Sequence, residues 1–305
     1  MAWSRIWSWR RMAVGAERPR QRLAVRKTYK LFVGGDFPRS ESGRSYPATG
    51  QDGEVVARVA RASRKDLREA VRSARGAFAG WSGKTAYNRG QVLYRVAELM
   101  EGRRDQFVEE VRRAGASDPE AGVDSAIDRW VWYAGWSDKI HHVLGSVNPV
   151  AAPYFNFTLP EPTGVVGIVA PPDAPLLGLV SRLAPAVVSG NCVVVLASER
   201  WPLPAVTLAE VLATSDVPGG VINILTGFTE ELVPWLAGHM DVNAIDVTGV
   251  PEPLRHEVER LCAENVKRIV RAEGPQADWL SDTAQSPYAV TAFMEMKTVW
   301  HPMGA

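Results

Sequence analysis

Apolar residues along this chain follow two rhythms. Between residues 161 and 248 they gather into short, nearly continuous, β-branched runs at 165–170, 192–196 and 221–225, each bounded by Gly or Pro. Runs of this kind mark parallel strands buried on both faces. Helix-length segments at 176–189 and 205–214 separate them, so the region reads as a βαβαβ unit, and a fourth run at 244–247 extends it. The expected fold class is therefore α/β, a doubly wound parallel sheet. Its ligand site is expected outside the carboxyl ends of the strands.

Elsewhere the rhythm is helical. Residues 66–80 carry an apolar stripe of Leu67, Ala70, Val71, Ala74 and Phe78. Residues 89–101 and 103–113 repeat it with Leu93, Val96, Ala97, Met100, Phe107 and Val111. Residues 126–140 read as one helix whose Trp130, Tyr133 and Trp136 are packing anchors. Arg64, Arg68, Arg72 and Arg75 form a basic ridge, expected to be a solvated face. The stretch from Pro153 to Leu159 alternates apolar and polar residues. So does that from Phe293 to His301, with Phe293, Met296 and Val299 set against Glu295, Lys297 and His301.

Composition changes this picture in one place only. With 305 residues, 46% hydrophobic and 23% charged, the chain is ordinary for a soluble protein and fills one large domain or two small ones. Residues 1–27, however, hold eight Lys or Arg against the single acid Glu17, which leaves about −6 on the remainder of a chain of net charge +1. Trp3, Trp7 and Trp9 interleave with those Arg, a pattern compatible with a nucleic-acid or membrane-surface arm. The stretch has no sustained amphipathic run, so a disordered tail or an overextended start is the expectation, with neither a nucleic-acid nor a membrane partner. It lacks a signal peptide's apolar core, and no run long enough to span a membrane exists. Two Cys and five scattered His give neither a disulfide framework nor a metal pattern, which fits a cytoplasmic protein without metal. Cys192 falls in a buried strand and Cys262 on a helix at 253–264; both are expected to be structural.

The central stretch resembles the cofactor domain of the aldehyde dehydrogenase superfamily. Pro162, Gly164, Val165, Val166, Ile168, Pro171 and Pro175 match the family's first strand and turn. Residues 183–186, Gly190-Asn191, Val193-Val194 and Glu199 match the L-A-P-A…G-N-x-V-V block. Pro218, Gly220, Val221, Asn223 and Gly227 match a third block, and Thr248-Gly249 keeps half of F-T-G-S. Toward the N-terminus, residues 31–35 resemble an opening strand and turn, and 47–50 the N-P-A-T-G turn. The resemblance implies a Rossmann-like nucleotide domain with a small projecting oligomerisation sheet. It implies NAD or NADP as cofactor, held through Ile168, Pro171, Glu199, Thr248 and Gly249.

The departures are as informative. The family's oxyanion-hole Asn falls on Asp173, and a carboxylate repels a developing oxyanion. The general base falls on Arg271, which cannot accept a proton. The ribose-holding Lys is Leu196, and the Ser facing the pyrophosphate is Val250. The grip on NAD(P) implied by the remaining residues is weak, and an empty cleft is as well supported. After Gly274 the chain passes through residues 278–286 directly to Phe293, where the family inserts a catalytic domain with its nucleophilic Cys.

Four parts follow: a tail at 1–27, an N-terminal helical part at 28–145, oligomerisation strands in 146–162 plus 283–305, and a nucleotide-domain remnant at 163–282. The nearest resemblance is to the degenerate second module of two-module (type sixteen) aldehyde dehydrogenases. It implies a non-catalytic companion that meets a full-length aldehyde dehydrogenase, or itself, through the strands around Pro153–Leu159 and Phe293–His301. An oxidoreductase acting through a site shared with a partner is the alternative.

Overall fold

The computed structural model describes residues 25–271 and 277–304. The tail at 1–24 and Gly274, on which two sequence expectations rest, lie outside the described residues.

The chain opens with β1 (Thr28–Tyr29), β2 (Ser45–Thr49) and β3 (Val55–Ala60), joined in the order β1-β3-β2. Residues 47–49, read from sequence as part of a turn, are instead strand: Pro47 pairs with Arg58, and the reversal comes after Gly50. Pro is admissible there because β2 is an edge strand. Residues 31–35 likewise form isolated bridges rather than a strand. Phe32 and Ile224 exchange backbone bonds of 3.0 and 2.8 Å, which covers part of the main sheet's open edge.

Four helices follow: α1 (Arg64–Ser82), α2 (Ala86–Glu101), α3 (Arg104–Arg113) and α4 (Pro119–Ala134), with the short α5 (Ile140–Leu144) behind them. Ser63 and Asp66 form a reciprocal capping box that starts α1. The expected helix over 126–140 is broken. It ends at Gly135, whose N–H closes onto Val131 O at 3.0 Å, and α5 resumes five residues later. Trp130 and Tyr133 are fully buried as anchors where α4 packs on the helix at Leu177–Val188, while Trp136 is half-buried. The basic ridge is not uniformly solvated either: Arg75 donates to Asp241 O at 2.8 Å and Asn243 Oδ1 at 2.6 Å, tying α1 to the main sheet.

Next come β4 (Ser146–Asn148), β5 (Tyr154–Pro162) and β6 (Val165–Val169). They are followed by α6 (Leu177–Val188), β7 (Cys192–Leu196), α7 (Leu203–Leu212), β8 (Ile222–Leu225) and α8 (Thr229–Gly238). The chain finishes with β9 (Ala244–Asp246), α9 (Glu252–Ala263), β10 (Arg268–Val270), a 3₁₀ turn at Asp282–Ala284, α10 (Pro287–Thr291) and β11 (Met294–Pro302). The main sheet is wholly parallel in the order β10-β9-β6-β7-β8, a doubly wound Rossmann-like arrangement whose order reverses beside β6. The residues of β6, β7, β8 and β9 are buried, including the polar Asn223 of β8 and Asp246 of β9.

Polar motif residues hold the strand ends from inside. Asn191 accepts from Gly164 N (2.8 Å) and donates to Ser189 Oγ (2.7 Å) and Phe293 O (2.8 Å), stapling the starts of β6, β7 and β11 together. Asn223 does the same for Gly34, Val193 and Gly220 at 2.8–3.2 Å. Both side chains are fully buried, where an unmet polar group is costly.

The strands expected at 153–159 and 293–301 pair with each other. β5 and β11 run antiparallel over nine residue pairs, from Met294↔Pro162 to Pro302↔Tyr154, and β4 adds a third strand. Phe155, Leu159, Met296 and Trp300 stand exposed on this small sheet.

The helical part clasps the sheet partly through an unusual carboxyl. Glu110 on α3 is buried; Thr207 on α7 donates to its Oε1 at 2.7 Å and Gln106 at 3.1 Å, while Oε2 has no partner. Burial, reinforced by nearby Glu210, pushes the carboxyl up to about 7, against the pull of the two hydrogen bonds and Arg103. A carboxyl raised in the fold stabilises it below its unfolded value (about 4.3) and loses that contribution as pH rises through 7. Unfolding free energy is therefore expected to fall by on the order of 3 kcal/mol from this group between pH 4 and 8. Denaturant titrations across that range should show Glu110→Gln without this share of the slope and more stable than the parent at pH 8.

Candidate functional site

Strand carboxyl ends are where a parallel sheet offers loops free of ladder bonding. Here all five open on one cleft of about 1650 Å³. From β6 come Ala170, Pro171, Pro172 and Asp173; from β7, Ser198, Glu199 and Arg200; from beyond β8, Phe228, Thr229, Glu230 and Glu231. β9 contributes Val247–Val250, leading into Pro251 and Glu252 of α9, and β10 contributes Arg271. Tyr46, Pro47 and Thr49 of β2 close one wall, with the Tyr46 and Phe228 rings 5.3 Å apart.

Six of the residues singled out from sequence thus meet here: Pro171, Asp173, Glu199, Thr248, Gly249 and Arg271. Ile168 does not. It lies inside β6, fully buried, paired with Val195 on one side and Asp246 on the other, so its side chain packs the core instead of lining the cleft.

The turn after β9 is built without slack. Thr248 N donates to Asp246 Oδ1 (2.9 Å), Gly249 N to Val169 O (3.1 Å) and Val250 N to Val247 O (3.0 Å). Gly249 lies against β6 so closely that a Cβ would run into the Ala170 carbonyl. Gly249→Ala is expected to cost about 1–3 kcal/mol through this backbone clash, as overpacking does, with chemical denaturation as the measurement. Below the turn, Asp246 is fully buried and takes Arg182 Nε at 2.5 Å.

Charges in the cleft are mostly acidic. Asp173 and Glu230 have no ion-pair partner among the described residues. Glu199 accepts from Thr229 N at 2.9 Å, capping α8; Glu231 pairs with Arg61, and Glu252 with Arg255 at 2.5 Å. Arg271 is exposed and bound to Glu259 of α9. The position implied for an oxyanion donor therefore presents the Asp173 carboxylate, and that implied for a base presents a paired guanidinium.

Neither Cys lines the cleft. Cys192 is fully buried in β7, where burial pushes its thiol up to about 12, and Cys262 is buried in α9 and also raised by burial. Among the described residues no group of three His, Cys, Asp or Glu could hold a metal ion, and no helix is long and apolar enough to cross a membrane. A dinucleotide's pyrophosphate asks for N–H donors and cationic side chains. With Leu196 on β7, Val250 after β9 and carboxylates at both helix starts, the residues present do not fit it.

The sequence did not point to Tyr46, Phe228, Glu230, Glu231 or Glu252. Two acids in the first turn of α8 and one in that of α9 are the signal that marks helix starts facing the cleft.

Comparison with known proteins agrees with this architecture. Residues 39–298 match the model of the aldehyde dehydrogenase family. The chain is 35% identical over 262 residues to cytosolic 10-formyltetrahydrofolate dehydrogenase of Mus musculus, covering 83% of this chain and 29% of that protein. It is 34% identical over 283 residues to retinal dehydrogenase 2 of Homo sapiens, covering 89% and 54%. HpcC from Thermus thermophilus superposes with a TM-score of 0.76 at 32% identity, over 80% of this chain and 48% of that one. An aldehyde dehydrogenase from Bacillus cereus in complex with NAD+ does so at 0.74 and 26%, over 80% and 50%. The chain spans about half the length of the retinal dehydrogenase and less than a third of the formyltetrahydrofolate dehydrogenase. With a family model matched over most of its length, this chain belongs to the aldehyde dehydrogenase family.

Proposed function

We propose that this chain is a non-catalytic companion of a full-length NAD(P)-dependent aldehyde dehydrogenase, similar to the degenerate second module of the two-module members. The observation that carries this reading is the cleft's chemistry: a carboxylate, Asp173, and an ion-paired Arg271 line it, at the two positions that the resemblance assigns to an oxyanion donor and a base. Acyl transfer through a thiohemiacetal requires a nucleophile and a stabilised oxyanion, and both Cys are buried away from the cleft. The short path from β10 to β11, through residues 271–293, supports it as well, since no second domain separates them.

The small sheet is the proposed contact. Its outer strands β4 and β11 leave backbone edges unpaired beside Phe155, Leu159, Met296 and Trp300, a combination that invites strand addition by a partner. The partner is a full-length aldehyde dehydrogenase; a second copy of this chain is the competing occupant.

A second reading keeps an oxidoreductase role through a site completed by a partner chain. The open cleft with Pro171, Glu199, Thr248 and Gly249 along its wall favours it. The purified chain, given NAD or NADP and a series of simple aldehydes, is expected to reduce no cofactor. Turnover by the chain alone would sink the companion reading, and turnover appearing in mixtures at sites a partner lacks alone would favour the second.

A further inference from the structure

We infer that the cleft of this chain rejects NAD(P), and that the rejection is built into the two helix starts that open on it. This goes beyond the companion role, which holds whether or not the chain binds a dinucleotide.

A helix start attracts phosphate because its first N–H groups lack partners and the positive end of its dipole faces outward. Both attractions are weakened here. At α9, Pro251 and Pro253 have no N–H, and Leu254 N is already given to Pro251 O at 2.9 Å. That leaves Glu252, whose own carboxylate stands in the first turn. In the turn leading to it, the N–H groups of Thr248, Gly249 and Val250 are all spent on Asp246, Val169 and Val247.

At α8, the Glu199 carboxylate already occupies Thr229 N at 2.9 Å. Glu231 N and Leu232 N go to Phe228 O at 3.1 Å, and Glu230 and Glu231 add two acids to the first turn. After β6, Pro171 and Pro172 offer no N–H, and Asp173 follows them.

Side chains do not make up the loss. The lining carries Asp173, Glu199, Glu230, Glu231 and Glu252 against Arg200, Arg255 and Arg271. Arg255 and Arg271 are held by Glu252 and Glu259, and Arg200 lies over the Trp201 ring at 4.7 Å. A pyrophosphate entering this cleft loses its hydration and meets more carboxylates than cations, with most of its usual backbone donors consumed and the remaining ones, on Glu230 and Glu252, belonging to acidic residues.

The test is a fluorescence titration with NADH of the full chain and of the variant Pro251→Ser/Glu252→Gln/Pro253→Ala. All three residues are exposed, so the fold should survive the changes, and circular dichroism and Tm verify that it does. The parent is expected to show no saturation below about 1 mM, a level corresponding to roughly −4 kcal/mol of binding. The variant is expected to gain at least about 10-fold in affinity. Glu252→Gln alone, which leaves the backbone untouched, should show part of that gain. Sub-millimolar binding of NADH to the parent, competed by NAD, would overturn the inference. So would a folded variant with no gain, because the rejection would then not lie in these groups.

Discussion

Asp246→Ala is expected to destabilise the fold by about 3–5 kcal/mol, because it strands a buried cation. Arg182 enters from α6 at 7% exposure, gives its Nε to Asp246 Oδ2 at 2.5 Å, and has an Nη2 with no partner. Such a pair contributes little net stability compared with an apolar replacement, yet removing one partner leaves the other charge desolvated and uncompensated. The carboxylate also holds Thr248 N at 2.9 Å, so its loss loosens the turn that forms one wall of the cleft. Asp246→Asn keeps an acceptor for Thr248 and should cost less than Asp246→Ala. Chemical denaturation of the three proteins at one pH measures both differences.

Phe293→Ala is expected to cost about 3–5 kcal/mol, the range for deleting a fully buried aromatic ring. Phe293 is wholly buried just before β11; its carbonyl accepts from Asn191 Nδ2 at 2.8 Å and from Thr163 N at 3.3 Å, and Arg182 lies over its ring at 5.7 Å. It is thus the point at which the small sheet is fastened to the main one. Truncation removes the ring but not the carbonyl, so the loss should appear as a cavity cost with weakened anchoring of β11. Since Arg182 touches both Asp246 and Phe293, the double substitution should fall short of the sum by about 0.5–3 kcal/mol. Additivity would mean that the two contacts act independently.

Much of the fold was legible because the strands that build the main sheet are buried on both faces. β6, β7 and β8 announce themselves as β-branched runs bounded by Gly or Pro, β9 as a fourth short run, and all four fall within one residue of the expected positions. What stayed hidden has physical reasons. β10 is three residues long and only partly buried, too short for any periodicity. α8 carries Pro234 inside it, a residue that ordinarily argues against a helix. The break between α4 and α5 comes at Gly135 within a run of aromatics whose spacing continues as if helical.

The site was legible to the extent that strand topology defines it. Asp173, Glu199, Thr248 and Arg271 follow β6, β7, β9 and β10, and a parallel sheet brings those ends together whatever their chemistry. Ile168 matched a motif but sits mid-ladder, where its role is packing. Tyr46 could not be read from local sequence, because it meets Phe228 only through the packing of the first sheet on α7 and α8. Asn191 and Asn223 match family blocks, yet every hydrogen bond they make lies within the fold. The match of these two Asn to the family blocks is therefore accounted for by strand-end bonding.

The companion role is tested most directly by mixing the purified chain with a full-length aldehyde dehydrogenase from the same cells and weighing the products by native mass spectrometry. The account predicts a complex of fixed stoichiometry that forms through the small sheet, is lost when Trp300 and Phe155 are replaced by charged residues, and gains no active sites from this chain. A chain that remains by itself or pairs only with its own copies, with every full-length enzyme of those cells tried, would contradict it.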